Sequence, residues 1–174
     1  MGLKHEEAAR LFRTGQFAQL IGQSGHNQTE RRNLEPQLRA IVANAMALVG
    51  ELENAKALAR MDRETSRPSA VRSQAESTLA SIEFRNGDIG LAIQHARAAV
   101  RFAHESSDPE RIAWAQLHLL RLSIDVGPWD AIAAMLPDVR RVVARAGVPQ
   151  VTAYLHNCVA MMEGQTGRLD EARR

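Results

Sequence analysis

The sequence predicts an all-α fold, a single array of about four and a half helix–turn–helix repeats spanning residues 1–174. Three observations predict it. Alanine supplies 28 of the 174 residues and aromatics only 4%, a composition that favours close-packed helices over a sandwich or barrel. Gly15, Gly50, Gly87, Gly127 and Gly167 stand 35, 37, 40 and 40 residues apart, and self-similarity at such a period marks repeat architectures. Flanking columns keep the same register: Ala8, Ala43, Ala80, Leu120 and Ala160 lie seven residues before the glycines, and Leu20, Ala55, Ala92, Ile132 and Ala172 lie five after.

Each element follows from this register. The pattern predicts helices at 3–14 and 16–24, 35–49 and 51–63, 68–86 and 88–105, 109–126 and 128–146, then 149–166 and an incomplete helix from 168. These group into repeats at about 1–25, 35–63, 68–106, 108–146 and 149–174, the last incomplete. Glycine between the paired helices supplies the left-handed backbone that ends the first helix. Small side chains on either side fall where the helices cross. The apolar residue two past each glycine (Phe17, Leu52, Ile89, Trp129, Leu169) should pack the turn onto the core. Pro36, Pro68, Pro109 and Pro149 mark starts of first helices, since the missing N–H of a proline costs nothing at the first helical position. Asp108 and Ser66 are the expected N-caps. Residues 25–34 should form a polar loop, and Pro137 should kink or break the helix from 128. The chain stops seven residues after Gly167, with its last helix only begun. Because a repeat array normally ends in a polar cap, the expectation is an N-terminal part of a longer protein, or else a homodimer through the exposed C-terminal helix.

Composition excludes several function classes. The net charge is +2, with 22 basic and 20 acidic residues distributed over the whole length. Nucleic acid is therefore not expected as a partner of this segment. A single cysteine, Cys158, can form no internal disulfide, and the N-terminus MGLKHEEAARLF carries no apolar signal core. No run of 18 apolar residues exists to cross a membrane, so the expectation is a cytoplasmic protein in a reducing compartment.

Catalytic motifs are missing. The sequence holds no Gly-rich phosphate loop, CxxC, HExxH or GxSxG. His156 and Cys158 lie two residues apart on one helix, pointing about 200° away from each other, so they cannot share a proton. His5, His26, His95, His104, His118 and His156 show no i,i+4 spacing. No enzyme activity, metal or cofactor is expected.

Residues 76–100, ESTLASIEFRNGDIGLAIQHARAAV, carry Leu79-Ala80, then Gly87-Asp88-Ile89, then Ala92 and Ala99. This alternation of small and large side chains resembles the tetratricopeptide repeat (TPR) family. The likeness extends unevenly over nearly the whole chain, with Leu120 and Ile132 standing where the family pattern has small residues. Spacings of up to 40 are similar to the elongated TPR variants of bacterial signalling and transcriptional regulators. The resemblance implies a right-handed α-solenoid whose first helices line a concave groove that binds a protein or peptide ligand.

Offsets of 13, 10, 6, 3 and 2 before each glycine select the groove. They give His5, Phe12 and Arg13, then Gln37 and Asn44, then Gln74, Ser77, Ser81, Phe84 and Arg85. Repeats four and five add Trp114, Leu117, Arg121 and Asp125, with Tyr154, Asn157, Met161 and Gln165. Of these, the expected partner-binding residues are Gln37, Asn44, Gln74, Ser77, Ser81, Arg85, Trp114, Arg121, Tyr154 and Asn157. Trp114 and Tyr154, 40 residues apart, should be neighbours, and Arg121 beside them should suit an acidic side chain or a C-terminal carboxylate. The Lys/Asn clamp of TPR proteins that bind chaperone tails is absent. The leading expectation is a non-catalytic protein-interaction module. The alternative is a sensory or regulatory segment of a larger transcriptional regulator or signalling protein, and single-stranded RNA binding is a weaker third.

Overall fold

The computed structural model describes residues 3–66, 68–165 and 167. Among the described residues ten helices follow one another: α1 (His5–Arg13), α2 (Phe17–Gln23), α3 (Gln28–Arg32), α4 (Pro36–Val49) and α5 (Leu52–Thr65). They continue with α6 (Ser69–Arg85), α7 (Ile89–Ser106), α8 (Pro109–Ile124), α9 (Trp129–Ala146) and α10 (Pro149–Gln165). No strand occurs among the described residues.

Packing is between near neighbours. The hairpins α1/α2, α4/α5, α6/α7 and α8/α9 each pack internally, and each second helix also packs on the next first helix (α2 on α4, α5 on α6, α7 on α8, α9 on α10). First helices meet in succession, α1 with α4, α4 with α6, α6 with α8 and α8 with α10. The second helices make no comparable contact with one another. The core is accordingly a series of clusters, one around α1–α5 and another around α8–α10, with smaller alanine-rich groups between them.

The small-residue columns occupy the helix crossings. Ala8, Ala43, Ala80 and Leu120 before the turns, and Leu20, Ala55, Ala92 and Ile132 after them, are at most 1% exposed. Ala160 is half-buried, and Ala172 lies outside the described residues. All five repeat glycines have positive φ, from 53° at Gly127 to 95° at Gly50. At the first three turns the glycine N–H donates three residues back and the next N–H five back, as in Gly87 to Phe84 and Asp88 to Glu83 at 3.1 and 2.9 Å. These paired bonds satisfy the last helical carbonyls. The fourth turn differs: Pro128 follows Gly127 and has no N–H, and the Val126 and Gly127 N–H groups both donate to the Ser123 carbonyl, at 3.1 and 3.0 Å.

Four expectations need correction. Residues 25–34 are not all loop, because α3 forms within them. Asn27 accepts from the Glu30 N–H at 2.9 Å while the Glu30 carboxylate takes the His26 N–H at 2.8 Å, a reciprocal arrangement akin to a capping box. Pro137 does not break α9, which runs through it. Pro137 and Ala133 are both exposed, so the carbonyl that loses its bond is on the solvent side. Ser66 is not an N-cap. It ends α5 and donates to Asp62 at 3.2 Å, while Pro68 occupies the cap position. Trp129 does not bury its turn as Phe17, Leu52 and Ile89 partly do, remaining 37% exposed. Asp108 caps α8 as expected, accepting from the Glu110 and Arg111 N–H groups at 3.0 and 3.3 Å.

Buried charge ties particular helices together. Arg39 of α4 donates through Nε and Nη2 to Asp62 of α5 at 2.8 and 2.6 Å, and through Nη1 to the Arg32 and Leu34 carbonyls. That one side chain fixes the end of α3 to the α4/α5 hairpin. Lys56 meets Glu83 at 2.7 Å across α5 and α6, and His95 meets Glu76 at 2.6 Å across α7 and α6.

Candidate functional site

The first helices α4, α6, α8 and α10 lie side by side, and their shared face carries the selected residues. On α6, Gln74, Ser77 and Ser81 recur at helical spacing and are half-buried. On α8 the same spacing sets Arg111, Trp114, His118, Arg121 and Asp125 along one stripe. Tyr154 and Asn157 present themselves from α10, half-buried and exposed respectively.

Contacts between these helices recur at separations of 37 and 38 residues. Arg111 Nη1 donates to Gln74 Oε1 at 3.4 Å, and Ser81 Oγ stands 3.3 Å from His118 Nε2, both pairs 37 residues apart. Arg85 donates to the Ala47 carbonyl, 38 residues back. The rings of Trp114 and Tyr154 meet at 5.6 Å between centroids, tilted by 54°, within the range of favourable edge-to-face packing. Trp114 nonetheless keeps 38% of its surface exposed. The expected aromatic pair is therefore formed and open to solvent.

Other selected residues stand apart. Gln37 is exposed and Asn44 half-buried on α4, and neither has a hydrogen bond to the α6–α10 cluster among the described residues. Leu117, expected on the groove, is fully buried with Ala113 and Leu120. It lies four and three residues from those core positions and so shares their face of α8. Phe12 packs on the α1–α5 core and against Phe17, at 5.3 Å, while Phe84 and Met161 pack partly on their own clusters. Arg121 is not free to await a carboxylate, because Asp125 one turn on already holds it at 2.6 Å. His118 and Arg111 were not among the selected offsets. The signal for them was the 37-residue spacing from Ser81 and Gln74.

Burial tunes this face toward neutrality. Desolvation, assisted by Arg121, lowers the His118 pKa to about 4, so its imidazole is neutral at pH 7. Burial pushes the Cys158 thiol up to about 11 and raises the Tyr154 hydroxyl, the latter helped by Cys158. Arg111 is shifted down by desolvation, against the pull of Asp108 and Glu110.

The Ser81–His118 pair is not arranged as nucleophile and base. Ser81 Oγ donates its proton to the Ser77 carbonyl at 3.2 Å, which leaves it to accept from the imidazole N–H. No group of three or more His, Cys, Asp or Glu side chains among the described residues could hold a metal ion. Cys158 is 1% exposed and His156 exposed, as their spacing required. No helix of the described residues is long and apolar enough to cross a membrane. What the surface offers is an aromatic pair, amides and hydroxyls, with Arg121 paired to Asp125 and Arg85 bonded to a backbone carbonyl. Compared with protein-family models, curated proteins and solved structures, the chain matches none.

Proposed function

We propose that this chain is a non-catalytic interaction module, a right-handed TPR-like solenoid that takes an extended peptide or a partner domain along the face of α6, α8 and α10. The observation that carries the reading is Trp114, packed at a tilt against Tyr154 across two first helices yet still 38% exposed. A rigid, half-exposed aromatic pair loses little conformational freedom on binding, and Trp and Tyr are enriched among residues that dominate interface energies. Around it, Ser77 and Asn157 can bond a peptide backbone without demanding one sequence. The internal pairing of Arg121 with Asp125 and the neutrality of His118 favour an uncharged, apolar-aromatic ligand segment over an acidic tail.

Selection of a displayed random-peptide library against the full chain tests this. Peptides enriched on the wild type should bind the Trp114→Ala variant at least about tenfold more weakly, the size of a hot-spot loss. Circular dichroism would establish that the variant stays folded. Failure to enrich any peptide, or enriched peptides indifferent to Trp114→Ala, would defeat the proposal.

A further inference from the structure

A second surface lies away from that face, between the second helices. Because α7 and α9 make no extended contact, a cleft opens between them over α8, with a volume of about 160 Å³ and walls from Val100, Gln116, Leu119, Met135, Asp138 and Val139. Four of these six are apolar. Small-molecule and cofactor pockets usually reach roughly 300 Å³ or more, so this cleft is the wrong size for a cofactor. It matches a single large apolar side chain.

Its rim is basic. On α7, Arg97 and His104 lie three before and four after Val100, bringing them to the exposed edge of that wall. On α9, Arg141 and Arg145 follow the lining residue Asp138 by three and seven residues and share its face. Arg141 is paired with Asp138 at 2.9 Å. Arg97 and Arg145 are exposed and have no acidic partner among the described residues. His104 turns to the Gln116 amide at 3.3 Å, closing one end of the floor.

We infer that the α7/α9 cleft is a docking site for an acidic amphipathic segment of a partner protein, which seats one large apolar side chain against Val100, Leu119, Met135 and Val139 and lays its carboxylates on Arg97 and Arg145. Charge complementarity selects this occupant. A neutral apolar segment would leave two arginines unmatched, and a basic one would be repelled. The site is independent of the Trp114 face, because α7 and α9 contribute nothing to that face.

The test follows the Met135 methyl signal by NMR in the full chain while a synthetic helical peptide of Glu, Ala and a single central Leu is added. The proposal expects a saturable shift at Met135. It also expects affinity at least about tenfold weaker for the Leu→Ala peptide, for the peptide with Lys in place of Glu, and for the R97E/R145E double variant, a factor equivalent to about 1.4 kcal/mol. Both substituted positions are exposed, so the fold is retained, and the unperturbed spectrum of the variant checks this. Binding of equal strength to all three would overturn the proposal. So would an unmoved Met135, or shifts confined to the Trp114–Tyr154 face.

Discussion

The hairpins α6/α7 and α8/α9 solve the same packing problem with different side chains. In α6/α7 the crossing is made by Ala80 and Ala92, continued by Ala96, Ala99 and Ala103, all fully buried. These two helices form the most extensive contact in the molecule. In α8/α9 the equivalent positions are Leu120 and Ile132. The surroundings of this crossing differ too. Its turn lacks the paired bonds of the earlier turns because Pro128 has no N–H, Trp129 and Val126 stay 37% and 47% exposed, and the cleft opens between α9 and α7. Small side chains at a crossing thus accompany the more extensive helix contact, and large ones the hairpin with more apolar surface left open.

Reciprocal substitutions put the sharpest test on that contrast. Leu120→Ala should leave a cavity at the α8/α9 crossing and cost about 2–5 kcal/mol. Ala80→Leu should overpack α6 against α7 and cost about 1–3 kcal/mol. Urea unfolding of both variants measures this. If Ala80→Leu were neutral, the alanine crossing would not be tight.

The boundary between the two hairpins is pH-sensitive through His118, whose ring meets Ser81 of α6. Its native pKa is lowered from 6.5 to about 4. Protons therefore bind the unfolded chain more readily, and this group's contribution to stability is fully present above pH 6.5 and lost as pH falls toward 4. Across the whole window the loss is about 3 kcal/mol. Unfolding free energies at pH 7.5 and pH 4.5, for wild type and His118→Gln, should differ in slope, with the variant flatter.

The smallest effect concerns the turns. Gly87 has φ +85° and open space where a Cβ would go, so Gly87→Ala should cost only the left-handed backbone penalty, about 1–2 kcal/mol. Thermal unfolding would register it as a modest drop in melting temperature.

The sequence made most of the helical layout legible because the signals were local. A glycine of required handedness, a proline at a helix start and an apolar period each act within a few residues. Asn27 and Glu30 were equally local, but a polar stretch concealed their spacing as a cap. Pro137 misled because its effect depends on which side of α9 faces water. At the site, the Trp114–Tyr154 contact could be read from one repeat length. The buried Leu117 and the internally paired Arg121 could not, since fixed offsets ignore how far each first helix is rotated. The α7/α9 cleft had no sequence signal at all, because it arises from what two non-contacting helices leave between them.

The buried pair of Arg39 and Asp62 carries a consequence for how such a chain can evolve. Arg39 holds Asp62 inside its own hairpin and also reaches out to the carbonyls that end α3. Glu76–His95 likewise stays within α6/α7, whereas Lys56–Glu83 runs from one hairpin to the next. Hairpins that look alike in their alanine pattern are therefore not spare parts for one another. Moving the α4/α5 unit would part Lys56 from Glu83 and Arg39 from the end of α3, so the order of units is written into the interior at those two seams.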